Sequence, residues 1–258
     1  MADAYRVTLD DGGQVFAKTK SSAPPDFFPT EAAGLEWLRE ASAVAVPEVL
    51  AVSGDPPLLV LEWIEPGSAD LQTDANLGRE LARMHLAGAP SFGREDCRPL
   101  GSRRLPSDPK DSWAEFFAGN RLMPLARLAS DADALPESAI RGLETVAGRM
   151  DELAPPPERP SRLHGDLWGG NRLIGEGGVS WLIDPAAFGG HREFDLAMMR
   201  LFGGFGEECY AAYAEVAPLA AGWPERIALH HLAPLTVHAI KFGGPYVGAT
   251  LEALSAVA

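Results

Sequence analysis

Three polar residues in the second half of the chain have the types and spacing that phosphoryl transfer requires. Asp166 and Asn171 lie five positions apart, and Asp184 follows the apolar run Val179–Ile183. Carboxylate and amide oxygens are hard ligands that suit Mg²⁺, so Asn171 and Asp184 are candidate metal ligands. Asp166 is then the candidate base, because an attacking hydroxyl must lie within about 2.6–3.2 Å of the group that orients and deprotonates it. The metal would neutralise the charge on the transferred phosphoryl group.

The residues around these three are typical of a kinase catalytic loop. The first run is His164-Gly-Asp-Leu-Trp-Gly-Gly-Asn171, and Ile183-Asp-Pro185 follows it at the kinase spacing. A plain polar turn is the alternative, since Asp, Asn and Gly are common in turns for local reasons. The complete set, placed between two apolar strand-like runs, favours the catalytic interpretation.

The amino-terminal segment contains the partners that a nucleotide would need. Lys18 ends the run Val15–Lys18, as the phosphate-binding lysine of a kinase strand does. Glu31 lies early in the next predicted helix and is placed to pair with this lysine. A surface lysine and a first-turn glutamate favoured by the helix dipole are the alternative. We expect the backbone of Glu62 and Ile64, which follow a predicted strand, to reach the adenine edge.

The elements that must position these residues divide the chain in two. Strands are predicted near Tyr5–Leu9, Gln14–Thr19, Glu48–Val52 and Leu58–Ile64, and a helix capped by Thr30 lies between the second and third. After Pro66 the pattern becomes mainly helical. We therefore expect an α+β, protein-kinase-like fold. Residues 1–65 would form a small sheet-containing nucleotide-binding lobe, and residues 66–258 a larger helical lobe with the catalytic and substrate sites.

The larger lobe is predicted as helices with short strands among them. We predict a helix that ends at Gly88, a helix capped by Ser112 and a helix over Glu137–Leu153. Several more helices are predicted from Asp195 onward. Three histidines fall in one of the last helices, and we expect packing or hydrogen-bonding roles for them, because a metal site would need further ligands. They are His230, His231 and His238. His191 is predicted as an exposed loop residue, and His85 as a core residue.

Composition excludes several classes of function. With 22 Lys and Arg against 36 Asp and Glu, the net charge is −14, so nucleic acid is not an expected partner. No stretch is long and apolar enough for a membrane span, and the first residues do not form a signal peptide. Cys97 and Cys209 have neither metal nor disulfide spacing. These observations predict a cytoplasmic protein, and no feature indicates a particular oligomeric state.

The motifs resemble a known family. His164-Gly-Asp166, in place of His-Arg-Asp, is similar to the aminoglycoside phosphotransferase and choline kinase group of small-molecule kinases. Finer features resemble the fructosamine kinase (ketosamine 3-kinase) family over nearly the whole chain. The matching runs are His164–Asn171, Ile183–Ala186, Gly190–Met198, Leu201-Phe-Gly-Gly-Phe205, Tyr210–Glu215 and Phe242-Gly-Gly-Pro-Tyr246, with weaker matches at Leu77–His85 and Trp113–Phe117.

The resemblance implies a reaction and its cofactors. ATP, with Mg²⁺, would phosphorylate the sugar 3-hydroxyl of a ketosamine, which is a small-molecule amine–sugar adduct or a glycated protein lysine. The phosphorylated adduct would release the amine, so the activity would be deglycation. By position, the resemblance assigns Asp166 as base, Asn171 and Asp184 as metal ligands, Lys18 and Glu31 to the phosphates, and His164 and Asp195 as supports of the loop. It also assigns Trp168 to a sugar face and Glu193 to a substrate amine, with lobe packing for Trp168 and a structural ion pair for Glu193 as the alternatives.

Two departures from the family keep alternatives open. We expect that the first strand and the glycine-containing loop of the nucleotide lobe are missing, because the chain starts almost at the segment Ala4–Val7. The stretch Gly101–Pro109 is also more basic and proline-rich than the family pattern. The alternatives are another kinase of this fold, acting on an aminoglycoside, a choline-like molecule or another sugar, and a catalytically impaired nucleotide-binding protein.

Overall fold

An antiparallel sheet forms the amino-terminal part of the protein. The computed structural model describes residues 2–95 and 105–257. The four strands are β1 (Asp3–Thr8), β2 (Gln14–Thr19), β3 (Val49–Gly54) and β4 (Pro57–Glu62), in the spatial order β1-β2-β4-β3. Both predicted hairpins are confirmed. All six residues of the edge strand β1 are exposed, whereas β2 and β4 have buried residues alternating with less buried ones.

One helix, α1 (Phe27–Arg39), packs against this sheet and buries Leu35 and Leu38 completely. The prediction that Thr30 caps the helix is wrong, because the helix begins three residues earlier. Pro29 lies within the first turn, where proline is tolerated, rather than ahead of the helix. The Thr30 hydroxyl instead donates to the Asp26 carbonyl at 2.7 Å.

The predicted helices follow in the expected order, and a further helix, Met123–Asp131, was not predicted. They are α2 (Thr73–Ala87), α3 (Trp113–Phe117), α4 (Met123–Asp131), α5 (Glu137–Gly148), α6 (Met150–Leu153), α7 (Glu193–Phe202), α8 (Glu207–Val216), α9 (Ile227–Phe242) and α10 (Pro245–Val257). Gly88 ends α2, and the Ser112 hydroxyl accepts from the Glu115 amide, so both signals are confirmed. The helix predicted over Glu137–Leu153 is interrupted at Arg149, whose φ of −109° lies outside the helical range.

Two short antiparallel pairs of strands lie in the central segment of the chain. β5 (Ser161–Leu163) pairs with β8 (Phe188–Gly190), and β6 (Arg172–Ile174) pairs with β7 (Ser180–Leu182). β8 was not predicted, because two of its three residues are glycines, which disfavour strands. The predicted catalytic loop therefore lies between β5 and β6, and Asp184 lies just after β7.

One hydrophobic cluster joins the sheet to the helical part. It contains Leu35 and Leu59 from the amino-terminal part together with Leu77, Leu167 and Leu196. The second cluster lies entirely within the helical part and includes the rings of α3. Because Leu167 is in the predicted catalytic loop, the amino-terminal part packs directly on the segment that carries the candidate base.

Two further predictions concern thiols and membranes. Cys209 is free and buried, and burial raises its pKa to about 12, as expected for an inert thiol. Cys97 and the first part of the stretch Gly101–Pro109 lie outside the described residues. None of the helices in the two described ranges has the length and apolar character to cross a membrane.

Candidate active site

The candidate base and the first candidate metal ligand are joined by hydrogen bonds. The Asn171 side-chain nitrogen donates to the Asp166 carbonyl at 2.7 Å and to its carboxylate Oδ2 at 3.1 Å. Both donations use the amide nitrogen, so the Asn171 amide oxygen is left as an acceptor or metal ligand. The two residues, five positions apart in the sequence, are thus in direct contact through their side chains.

His164 connects this loop to the segment of Asp184. One ring nitrogen, Nε2, lies 2.9 Å from the Ile183 carbonyl, and Nδ1 accepts from the Asp166 backbone N–H at 3.3 Å. This pattern requires the neutral tautomer with its proton on Nε2. The ring is fully buried, so it positions the backbone on either side of the site.

Asp195 binds the start of the loop from within α7. Its Oδ2 accepts from the His164 backbone N–H at 2.7 Å and its Oδ1 from the Gly165 N–H at 2.9 Å. The side chain is completely buried, where charge-assisted bonds of this kind are strong. The geometry is that of the loop support expected for this residue.

Gly165 has a backbone that only glycine adopts readily. Its φ is +81°, and a Cβ at this position would lie 2.2 Å from the Ala186 carbonyl oxygen. An arginine cannot occupy this position without displacing the segment that follows Asp184. The His-Gly-Asp sequence is therefore a structural requirement of this loop.

The predicted Lys18–Glu31 pair forms and also includes Asp184. Lys18 Nζ lies 2.8 Å from Glu31 Oε1 and contacts Asp184 Oδ1 as well. Burial alone lowers the pKa of Lys18, but the charges of Glu31 and Asp184 outweigh burial and raise that pKa above its ordinary value. The lysine is therefore firmly protonated and positioned between the helix α1 and the candidate metal ligand.

Burial also changes the acidity of two carboxyl groups in the site. It raises the pKa of Asp166, although the nearby His164 and the Asn171 hydrogen bond act in the opposite direction. It raises the pKa of Glu31 despite the opposing charge of Lys18. A raised pKa brings Asp166 closer to the range in which a general base is effective.

A cavity of about 780 Å³ opens beside these residues. Asp166, Asp184 and Glu31 line one end, and Trp168, whose side chain is 40% exposed, lines it next to the base. This volume suits a small-molecule site. Glu62 and Ile64 are not among its lining residues; they lie at the end of β4 and just beyond it, and their adenine contacts stay a prediction.

Glu193 does not lie in the cavity, contrary to prediction. It is 1% exposed, and its carboxylate accepts from Arg226 at 2.6 and 2.9 Å. His191, predicted to be exposed, is 2% exposed and its ring stacks on that of His230. The alternative for Glu193, a structural ion pair, is thus the one that forms, and the exposure predicted for His191 is wrong. α9 and the Trp113 ring cover this segment, and such tertiary contacts leave no local signal in the sequence.

Two contacts of the site were missed by sequence reasoning. His85, predicted only as core, lies with Nδ1 at 2.8 Å from the Tyr213 hydroxyl and Nε2 at 3.3 Å from Asp195. In addition, the Gly169 N–H donates to the Gly203 carbonyl at 3.0 Å, where the chain of Leu201-Phe-Gly-Gly-Phe205 lies against the catalytic loop. The runs His164–Asn171 and Leu201–Phe205 are thus in direct contact.

Comparisons with known proteins identify the family. A fructosamine kinase profile matches residues 1–257. The chain belongs to the fructosamine kinase family. It is 35% identical to a probable ketoamine kinase of Thermus thermophilus over 95% of this chain and 87% of that protein. It is 34% identical to a chloroplastic protein-ribulosamine 3-kinase of Arabidopsis thaliana, over 92% and 73% of the two chains.

Solved structures show the fold of this fructosamine kinase family member. The structure is similar to a Thermobifida fusca protein assigned as a fructosamine-3-kinase, with a TM-score of 0.92 and 41% identity over 99% of this chain and 89% of the other. It also matches an aminoglycoside phosphotransferase, APH(4)-Ia, with a TM-score of 0.63 at 16% identity over 99% and 93% of the chains, which shows the fold alone. The protein is a phosphotransferase that acts on sugar hydroxyl groups, with a kinase-like fold.

Proposed function

We propose that this protein uses Mg-ATP to phosphorylate a sugar hydroxyl of a ketosamine, with Asp166 as the base. The acceptor is a small-molecule amine–sugar adduct or a glycated protein lysine. The observation that carries the proposal is that Asp166 and Asp184 line one end of a single cavity, where Asn171 donates to Asp166 and Lys18 contacts Asp184. A kinase needs a base, metal ligands and a cation there, and this end provides all three.

Asp166 is suited to orient and deprotonate the attacking hydroxyl. The Asn171 amide and the backbone contacts of His164 and Asp195 hold it in position, so little reorganisation is needed when the acceptor binds. Its raised pKa makes it a better proton acceptor than an ordinary aspartate.

Asn171 and Asp184 fit a divalent cation. The Asn171 amide oxygen is not consumed by the contacts of its nitrogen, and the Asp184 side chain is 44% exposed toward the cavity end. These are the oxygen donors that Mg²⁺ prefers. A bound Mg²⁺ would neutralise charge on the phosphates; the solved structure of an amicoumacin kinase of this fold contains AMP-PNP and Ca²⁺.

Lys18 is the candidate phosphate contact. In this structure it is held between Glu31 and Asp184, so Asp184 would have to exchange the lysine for the metal when nucleotide binds. Glu31, on α1, would then keep Lys18 in place. Trp168 lies beside the base and is available to stack on the acceptor sugar.

The decisive experiment measures turnover of Asp166→Asn with ATP and a panel of ketosamines. We expect kcat to fall by about 10²–10⁴-fold, because general base catalysis is lost. Mg-ATP should still bind in isothermal titration, since the metal ligands remain. Asp151→Asn, an exposed change on α6, is the matched control and should keep full activity. A near-normal rate for Asp166→Asn would remove it from the role of base.

The same assay separates the alternatives. Aminoglycosides, choline-like alcohols and free sugars are offered as acceptors beside the ketosamines, and turnover restricted to one of these would contradict the proposed substrate. Asp184→Ala should abolish Mg²⁺-dependent nucleotide binding. If the unaltered protein binds no Mg-ATP in the same titration, the impaired binding protein is the better description.

A further inference from the structure

A continuous wall of rings lines the cavity from beside the candidate base toward the corner of α9 and α10. Trp168 contacts Phe202 with centroids 6.1 Å apart, and Phe202 contacts His238 at 5.0 Å. His238 in turn contacts Phe242 at 5.6 Å and Tyr246 at 4.9 Å. The wall thus extends from the catalytic loop to the corner between α9 and α10, and all five residues line the cavity.

Hydrogen bonding and backbone turns fix the shape of this corner. The Nδ1 atom of His238 lies 2.8 Å from the Pro234 carbonyl, and it donates because a carbonyl can only accept. Gly243 and Gly244 both have positive φ values, of 61° and 55°, and turn the chain sharply from α9 into α10. The two glycines place Phe242 and Tyr246 on the same wall.

Charges are separated along the cavity. The acidic lining residues of the described chain, Glu31, Asp166 and Asp184, all lie at the end with Lys18. Lys241 is an exposed lining residue of α9, and its Nζ lies 4.9 Å from the centre of the Phe242 ring. It forms no ion pair with any residue in the described part of the chain. Arg121 also lines the cavity, but it is 3% exposed, lies over the Phe116 and Phe188 rings and donates to the Pro106 carbonyl. Lys241 is therefore the exposed positive group among the described lining residues, in a protein with a net charge of −14.

A ketosamine placed in this cavity has a defined direction. Its reacting hydroxyl must lie at Asp166, and its sugar then lies along Trp168 and the rings that follow. Placing the amine and the group it carries at the corner brings them to Lys241, the exposed cation of the described lining. A cation there repels a bare ammonium but attracts a carboxylate next to the amine.

We propose that Lys241 makes this corner a carboxylate subsite, so that the enzyme prefers ketosamines of free amino acids glycated on the α-amino group. Such adducts carry a carboxylate one carbon from the amine. A glycated lysine side chain in a protein has no carboxylate at that position and gains nothing from Lys241. This inference rests on the proposed function and specifies its substrate class.

Two acceptors that differ only in the carboxylate test the inference. They are the fructose adducts of glycine and of glycinamide, and the quantity measured is the ratio of their kcat/KM values. We expect the unaltered enzyme to prefer the glycine adduct by about fivefold, the effect of one partly exposed ion pair. In Lys241→Gln the ratio should fall to near one, and in Lys241→Arg it should return.

Comparing the ratio between enzymes cancels any difference in amine basicity between the two acceptors. Lys110→Gln is the matched control, because it removes the same charge from a residue that pairs with Asp108 and does not line the cavity. It should retain the full preference. Equal use of both adducts by the unaltered enzyme, or a preference that persists in Lys241→Gln, overturns the subsite alone. If neither adduct is phosphorylated, the proposed function fails as well.

Discussion

The catalytic loop and the lysine strand meet at the same cavity but are held in different ways. Asp195, completely buried, fixes the loop by accepting from two backbone amides. Lys18 on β2 is held by side-chain ion pairs alone, and one of its partners, Asp184, is 44% exposed. The base is thus positioned before any ligand arrives, whereas the phosphate side is arranged so that its contacts can be exchanged for nucleotide and metal.

This difference suggests how each region should respond to substitution. A change in the loop alters buried hydrogen bonds and backbone geometry, so activity and stability should fall together. A change at Lys18 removes contacts that already face water on one side, so activity should fall more than stability.

Among the substitutions that compare the two regions, Gly165→Ala should have the largest combined effect on stability and activity. The new Cβ would meet the Ala186 carbonyl at 2.2 Å, and the φ of +81° is strained for alanine. We expect a stability loss of about 1–3 kcal/mol and, because Asp166 would shift, a fall in kcat of about 10²-fold. Urea unfolding and steady-state kinetics measure the two quantities.

Gly177→Ala is the control for this substitution. Gly177 also has a positive φ, of +68°, but no atom lies within 4 Å of the position of its Cβ. The Gly177→Ala variant should lose stability through backbone strain only and should keep its kcat. Equal losses of activity in the two variants would show that the contact with Ala186 is not what places the base.

Lys18→Met tests the other region. Losing one positive group that faces the phosphates should reduce kcat by about 10²-fold. Stability should fall less than in Gly165→Ala, because Glu31, whose pKa burial already raises, can take up a proton when its partner is removed. Lys20→Met, at a neighbouring lysine that stacks on Phe27 without an acidic partner in the described residues, is the control. A stability loss as large as that of Gly165→Ala would contradict the contrast between the two regions.

The residues of both regions were predictable from sequence because their spacing along the chain reports the chemistry directly. Asp166, Asn171 and Asp184 lie within one short segment, and Lys18 ends a strand with a clear pattern. Their contacts with distant residues were not predictable. Arg226 is 33 positions from Glu193, and His85 is 110 positions from Asp195, so no local pattern announces either pair.

The same limit explains the errors in the secondary structure. Pro29 suggested a boundary, but proline fits the first turn of a helix as well as the residue before it. β8 forms because β5 lies beside it, and its Phe-Gly-Gly sequence has little strand preference of its own. In each case the tertiary partner decided the structure.

The raised pKa of Asp166 makes a prediction about pH. The base must be ionised, so kcat/KM should fall as pH decreases through a pKa above the ordinary aspartate value of 3.8. The residual rate of Asp166→Asn should lack this acid limb. An acid limb of the same position in both enzymes would assign the titration to another group.

The contribution of Asp166 to the free energy of unfolding should change with pH in the direction opposite to its contribution to activity. Because burial raises the folded-state pKa, the protonated side chain is the one that the fold favours, and this contribution is lost as pH rises through the raised pKa. At neutral pH Asp166→Asn should therefore be as stable as the unaltered enzyme or slightly more stable. Below pH 3.8 the difference should disappear, as thermal unfolding at several pH values would show.

Tyr213→Phe should have the smallest effect and defines how far the loop support extends. The hydroxyl donates to His85 Nδ1 at 2.8 Å, and His85 Nε2 can then donate to Asp195, which holds the loop. The same hydroxyl also hydrogen-bonds to the Arg192 side chain, so losing it should cost about 1–2 kcal/mol of stability. If the chain positions Asp195, kcat should also fall by about threefold, on the order of 0.6 kcal/mol in the barrier, while KM for ATP is unchanged.

Tyr210→Phe, one turn earlier on α8, separates positioning from simple packing. Its ring lies against Arg200, and no hydrogen bond of its hydroxyl is present within the described part of the chain. Both variants remove one oxygen from a buried tyrosine of the same helix, so a loss of packing alone would affect them equally. If kcat falls only in Tyr213→Phe, the hydrogen-bonded chain that supports the loop extends to α8. If kcat is the same in both variants, the support extends no further than Asp195.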